Sequence, residues 1–297
     1  MRGAPQLVLL AAAMCLFWGA TTLGLPDDAA ALLATVAKRL VDESHSFVNI
    51  KLGVDKPKAK RTGFWIEFDP RLPSVNISNG VRLGMAVTGL ANETSVSFFN
   101  NVKVGACSSM YAVTHAMAQS DLGRVNEIFR ANCHALANRT GVEFRLWDSP
   151  SDVEKSLAWA WDATIKCYRS SNYQQAGSFA ASTLGPVFAA IPSSHPVHLV
   201  DIDTQGADFE ILTSIAHELH RVKHLKMECQ EDTPLGFLYQ SRLPNDCAAA
   251  EALLKARGFD VRRVLNNCLM AEMNLYARNA NLTYFGSEVF EEGRRWL

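Results

Sequence analysis

The chain has 297 residues, 48% of them hydrophobic, and a formal net charge of −1. That length suits one large domain, with room for an insertion. The near-neutral balance, with Lys56 to Arg61 as a short, proline-interrupted basic stretch, excludes a broad electrostatic footprint for nucleic acid.

At the N-terminus Arg2, the apolar run Leu7 to Ala20 and the small residues Thr21, Thr22 and Gly24 follow one another. This is the order of a secretory signal peptide, here residues 1–24. The run is shorter than the ~20 residues of a membrane-spanning helix. After cleavage no stable span is expected, and the mature chain, 25–297, would be luminal or extracellular. A retained type II anchor in the Golgi is the open alternative. Asn76, Asn92, Asn138 and Asn281 each begin an Asn-x-Ser/Thr sequon, a glycan acceptor in that compartment. Once Cys15 leaves with the signal, six cysteines remain, at 107, 133, 167, 229, 247 and 268. An even number suits disulfides in an oxidising lumen, and Cys247 with Cys268 is the expected pair.

Residues 27 to 42 read as an amphipathic helix, with Ala30, Leu33, Val36, Leu40 and Val41 on one side and Asp27 and Asp28 in the first turn. Strands are expected at 46–50, running on to Gly53, and at 63–70. Val81 to Thr88 and Thr94 to Asn100 read as a hairpin turning at 89–93. Residues 118–176 read as a helical insertion that covers one edge of the site, with helices at 126–138 and from Ser151 to about Lys166. A short helix over 184–191 precedes the next strand.

The most telling stretch is Val197 to Leu212. An apolar strand ends on Asp201-Ile-Asp203, Gly206 turns the chain, and Phe209, Leu212 and Ile215 take up helical spacing. Further on come a strand over 222–228 ending at Glu228, a helix over 245–257 closed by Gly258, a strand over 259–265, and 269–285 closing the sheet. Strands alternating with helices predict an α/β fold with a doubly wound, mostly parallel sheet. In such sheets ligands sit beyond the carboxyl ends of the strands, which makes Asp203, Gln205 and Asp208 candidates.

These residues carry a resemblance. Asp201-Ile-Asp-Thr-Gln-Gly-Ala-Asp208, with Met227-Glu228 on the next strand, resembles the signature of the FkbM family of S-adenosylmethionine-dependent methyltransferases, Lys-Ile-Asp-Val-Glu-Gly-Ala-Glu and a later strand-end Glu. Trp65 to Pro70 resembles its Phe-Glu-Pro segment, Ala86-Val87 with Cys107-Ser-Ser-Met110 its Ala-Val … Ser-Ser-Leu stretch, and Thr183-Leu184 its Thr-Leu-Asp. Val48 to Asp55 stands where the family has an Asp-x-Gly-Ala-Asn-x-Gly loop, and of that loop's glycines only Gly53 is present. Asp201 and Gln205 replace the usual Lys and Glu.

The resemblance implies a Rossmann-like fold, S-adenosylmethionine as cofactor, and a small-molecule or glycan oxygen as methyl acceptor. It places Asn49, Gly53, Glu67 and Asp69 on the cofactor side, with Asp69, or the adjacent Glu67, bonding a ribose as strand-end acids do. Asp203, Gln205 and Asp208 fall on the catalytic side, with Asp203 as general base. Asp208 equally suits a first-turn acid favoured by the helix dipole, and Asp69 a turn cap. No metal is called for: His217, His220 and His224 have helical spacing, but the strand expected at 222–228 breaks it, and they read as a solvated face. Two other functions stay open. Asp201-Ile-Asp203 is also the Asp-x-Asp of glycosyltransferases, and the eroded glycine loop suits a methyltransferase-like protein that only binds a partner. Oligomeric state is not legible.

Overall fold

The computed structural model describes residues 25–53, 62–103, 107–112, 136, 166–167, 172–232, 237, 239–267 and 271–282. The signal segment and most of 118–176 therefore lie outside the described residues. Within that span Leu136, Lys166 and Cys167 are helical.

Helix α1 (Asp27–Asp42) forms where expected. It buries Ala29, Leu33, Val36 and Leu40, whereas Val41 is 56% exposed. Asp27 and Asp28 open it and Arg39 closes it, complementing the helix dipole at both ends. Strands β1 (Val48–Leu52) and β2 (Phe64–Phe68) follow, almost wholly buried. Then come β3 (Val75–Ile77), β4 (Gly80–Leu83), β5 (Ala86–Val87), β6 (Ser95–Asn101) and β7 (Tyr173–Ser182). Helix α2 (Gly185–Ala190) leads to β8 (Val197–Ile202), helix α3 (Asp208–Ser214), β9 (Val222–Gln230), helix α4 (Cys247–Ala256), β10 (Phe259–Asn267) and β11 (Glu272–Asn279). Asp246 caps α4 by accepting from the Ala248 amide at 2.7 Å.

Eight strands form one sheet in the order β10-β11-β9-β8-β1-β2-β4-β3. The central five, β9-β8-β1-β2-β4, are parallel, while β3 and β11 run antiparallel to their neighbours. The sheet is thus α/β and mostly parallel but mixed. From β1 the chain first lays strands to one side (β2, β4), then crosses to the other (β8, β9). The reversal sits between β1 and β8, and in sheets of this kind the crevice beyond the carboxyl ends at that point is where ligands bind.

The hairpin expected over 81–100 is not formed. β7, arriving some seventy residues later, lies between β5 and β6, parallel to the first and antiparallel to the second. Alternation of apolar and polar residues marks a strand but does not name its partner. The 89–93 segment is instead held by side chains: the Gly89 amide donates to Glu210 at 3.1 Å, and Thr88 donates to Glu93.

Among the described residues two disulfides are present, Cys107–Cys167 and Cys229–Cys247. Cys247 is therefore bonded to Cys229 and not to Cys268, which lies outside the described residues. The end of β9 and the start of α4 place the pair's Cα atoms 5.0 Å apart, well within disulfide reach. Among the described residues no helix is long and apolar enough to cross a membrane.

Candidate functional site

The crevice between β1 and β8 is built from tightly apposed backbones. Gly53 ends β1 with φ +76° and donates its amide to the Phe68 carbonyl at 3.1 Å. A Cβ on Gly53 would stand 2.2 Å from the Asp203 carbonyl oxygen. Only glycine fits there, both for its left-handed backbone and for the space. Asp203 follows the last residue of β8, so the two strand ends meet at these residues.

Two residues back, Asp201 lies in a row with Lys51 on β1 and Lys226 on β9. Lys51 Nζ is 3.0 Å from Oδ2, and Lys226 Nζ is 3.4 Å from Oδ1. Asp201 is thereby neutralised within the sheet. Asp203 feels the same two lysines from beyond the strand. Desolvation pushes its carboxyl above the ordinary range and the Asp201 charge adds to this, while Lys226, Lys51 and a hydrogen bond from Gln205 oppose it.

Gln205 is the hub of the turn. Its backbone is left-handed, φ +54°. Its Nε2 donates to Asp203 Oδ1 at 3.2 Å and to Glu228 Oε2, and its Oε1 accepts from the Tyr239 hydroxyl at 2.9 Å. Its carbonyl accepts from the Ser109 hydroxyl. Asp208, fully buried, opens α3. Its two oxygens accept the Thr204 and Gly206 amides, each at 3.0 Å, and Asn245 Nδ2 at 3.3 Å. Burial raises its pKa to about 7 against those amides. Asp208 fixes the turn from inside, as a first-turn acid does.

Glu228 on β9 and Glu272 at the start of β11 complete this edge. Asn266 Nδ2 donates to Glu228 Oε1 at 3.0 Å and also to Glu272 Oε1. Desolvation, then the charge and hydrogen bond of Glu272, and then Asp203 and Asp208 hold the Glu228 carboxyl well above the usual range.

On the other side of β1, Asp69 follows β2 and is 1% exposed. Oδ1 accepts the Arg71 amide at 2.9 Å and Nε at 3.0 Å, and Oδ2 accepts Nη2 at 2.9 Å. A carboxylate offers about four lone-pair directions. Among the described residues these contacts take three, which leaves one on Oδ2. Glu67 is turned to Arg82 on β4, with Nη2 at 2.9 Å.

Asp203, Gln205, Gly53 and Asp208 thus come together at one crevice, with Asp69 at the adjacent strand end. Asn49 does not join them. It is the second residue of β1, four positions before Gly53 and so roughly 13 Å away along an extended strand, and its amide donates to the Thr62 carbonyl at 3.2 Å. Asn49, expected on the cofactor side, thus lies away from the carboxyl-terminal strand ends at which parallel sheets bind ligands.

Sequence reasoning noted Glu228 and Ser109 only as parts of motifs and missed Glu272, Asn266 and Tyr239. Tyr239 lies in a loop without periodicity, although Gly206 could have flagged it: a Cβ there would come within 2.7 Å of the Tyr239 side chain. The histidines also differ from expectation. His217 and His220 are exposed, but His224 meets His198 edge to face, ring centroids 5.1 Å apart, at the far end of β8 and β9.

Comparison with protein-family models, with characterised proteins and with solved structures finds no match.

Proposed function

We propose that the chain is a luminal or secreted methyltransferase of Rossmann-like fold that moves a methyl group from S-adenosylmethionine to an oxygen of a glycan or small-molecule acceptor. The observation that carries this reading is the sheet. Counting strands from β1 and leaving out the edge strand β3 and the separate β5-β7-β6 sheet, the order reads 3-2-1-4-5-7-6, with the last strand reversed. The order reverses between the first and fourth strands, and in doubly wound sheets such a switch point is where a nucleoside-type cofactor binds. The reversed last strand departs from the nucleotide-binding order 3-2-1-4-5-6 and agrees with the methyltransferase resemblance of the Asp203 turn.

The residues present fit that cofactor in part. Asp69 stands at the second strand's end, where a ribose hydroxyl is bonded in such sheets, and keeps one lone pair on Oδ2. The cofactor supplies an electrophilic methyl on a sulfonium. The chain must hold the acceptor hydroxyl in line and take its proton. Asp203, with a carboxyl made more basic by desolvation, is the group placed to do so, and Gln205 orients it. Positioning can contribute ~7–11 kcal/mol and a general base ~10²–10⁴-fold.

The glycosyltransferase alternative needs Asp201 and Asp203 to share a divalent cation. Asp201 is already matched by Lys51 and Lys226, and two lysines beside a cation site disfavour it. The binding-only alternative draws on the eroded glycine loop, of which only Gly53 is present. Calorimetric titration of the mature chain with S-adenosylhomocysteine, and separately with UDP and Mn²⁺, decides among the three. Saturable heat with the first alone is the expected outcome. Heat with the second alone turns the reading to glycosyl transfer, and heat with neither to a binding protein.

A further inference from the structure

Each of the three sequons among the described residues lies on or beside an outer strand of a sheet, although the far half of one such strand, β6, is covered where Phe99 exchanges backbone hydrogen bonds with Ser109. Asn76 is the middle residue of β3, the outer strand on one side of the eight-stranded sheet. Asn281 follows β11 and lies against Gly258, the residue before β10, which is the outer strand on the other side. Asn92 lies three residues before β6, an outer strand of the three-stranded sheet. All three side chains are exposed. Asn76 accepts from Arg39 Nη1 at 3.0 Å through its oxygen, which presents the amide nitrogen outward. Asn281 packs closely on Gly258, where a Cβ would lie 2.4 Å from Nδ2, so a glycan there has to leave on the solvent side.

Edge strands carry unpaired backbone donors and acceptors and invite pairing with another chain. Proteins blunt them with charge, proline, bulges or cover. β3 reads Val-Asn-Ile, without charge or proline, and Val75 is 36% exposed. β6 reads Ser-Val-Ser-Phe-Phe-Asn-Asn, likewise without either. A bulky, hydrated group at each of these places would supply what the side chains do not.

We propose that Asn76, Asn92 and Asn281 carry N-linked glycans, and that these glycans shield the sheet edges from edge-to-edge association. The inference rests on the secretory part of the reading above. In the modification, Asn Nδ2 bonds to the anomeric carbon of a lipid-linked oligosaccharide. That carbon's bond to the pyrophosphate breaks, the lipid pyrophosphate leaves, and the amide gives up one proton.

The test uses the mature chain behind an independent secretion signal in a eukaryotic secretory host, beside the chain with its own N-terminus. If only the first is exported, the secretory reading fails, and the glycan proposal is still judged on the exported protein. Glycopeptide mass mapping should find sugar on all three residues. Ser78→Ala, which keeps Asn76 but removes its sequon, should lose one glycan. Trimming the folded parent with an endoglycosidase should then shift its size-exclusion elution towards dimers and larger species as concentration rises. An empty Asn76 or Asn92 on exported protein overturns the proposal. So does a trimmed protein that stays as monodisperse as the untrimmed parent, and this arm needs no variant to fold.

Discussion

Gly53 and Asp203 meet backbone to side-chain position: the place a Cβ would take on Gly53 is filled by the Asp203 carbonyl oxygen, 2.2 Å away. The contact joins the ends of the first and fourth parallel strands and sets the floor of the crevice. Gly53→Ala adds a left-handed alanine and a clash with backbone that cannot swing aside. It is expected to cost at least about 2 kcal/mol and to displace the Asp203 turn. Urea unfolding reads the loss, and a variant as stable as the parent would show that the strand ends are not so closely joined.

Asp203→Asn and Asp69→Asn should give different kinetic signatures. The first keeps the hydrogen bond from Gln205 through its oxygen but removes the base, so turnover should fall ~10²-fold or more with little change in cofactor affinity. The second weakens the hold on Arg71 and on a ribose hydroxyl, so cofactor binding should weaken by ~1.5–3 kcal/mol while turnover at saturation changes less. If Asp203→Asn turns over as the parent does, the base is elsewhere.

The carboxyls of this edge make stability fall as pH rises. Asp208, at about 7, and Glu228, well above the usual carboxylate range, keep protons in the folded chain that the unfolded chain releases near pH 4 to 5. Their contribution is complete below that unfolded value and is lost as pH climbs through the folded ones. The buried pair His198 and His224 acts in the opposite sense. Their folded values are lowered to about 4 and about 3, so they cost stability as pH drops below about 6.5. Between pH 7 and 8.5 the histidines are neutral in both states and the carboxyls remain. The melting temperature should decline over that window, and Glu228→Gln should make the decline shallower. A flat parent profile there would contradict the proton held between Glu228 and Glu272.

Non-reducing peptide mapping should recover Cys229 with Cys247 and Cys107 with Cys167. Replacing Cys229 and Cys247 by serine and alanine opens an 18-residue separation. In the chain-entropy account that is worth roughly 3 kcal/mol, which denaturant titration can read. Recovery of Cys247 with Cys268 would restore the sequence expectation and refute the pairing.

Much of the central sheet was legible before the structure, because its strands are short, apolar-rich runs bounded by turn residues. β1, β2, β8 and β9 fall within a few residues of where such runs predicted them. The acid-glycine turn after β8 was legible for the same reason: Asp203 and Gly206 interrupt that run abruptly. Partners were not. β7 pairs with β5 and β6 across a long separation, and Glu272 meets Glu228 through an antiparallel return; neither distance leaves a periodic trace. The roles of Asp69 and Asp208 were also ambiguous, since a turn acid and a ligand acid are the same residue type. Only the Arg71 fork and the paired amides of Thr204 and Gly206 show how each is engaged.

The chain leaves the small sheet at Asn101 and re-enters it at Tyr173, two residues directly paired across the strands. The Val102 amide donates to the Asn172 carbonyl at 2.9 Å beside them, and Cys107 is bonded to Cys167 just beyond. Departure and return are thus stitched together by ladder, turn and covalent bond, and residues 108–166 form a closed ring hung from that seam. A protease that cuts once anywhere in the ring opens it without severing the molecule. The two pieces stay one covalent body until a reductant reaches the buried sulfurs.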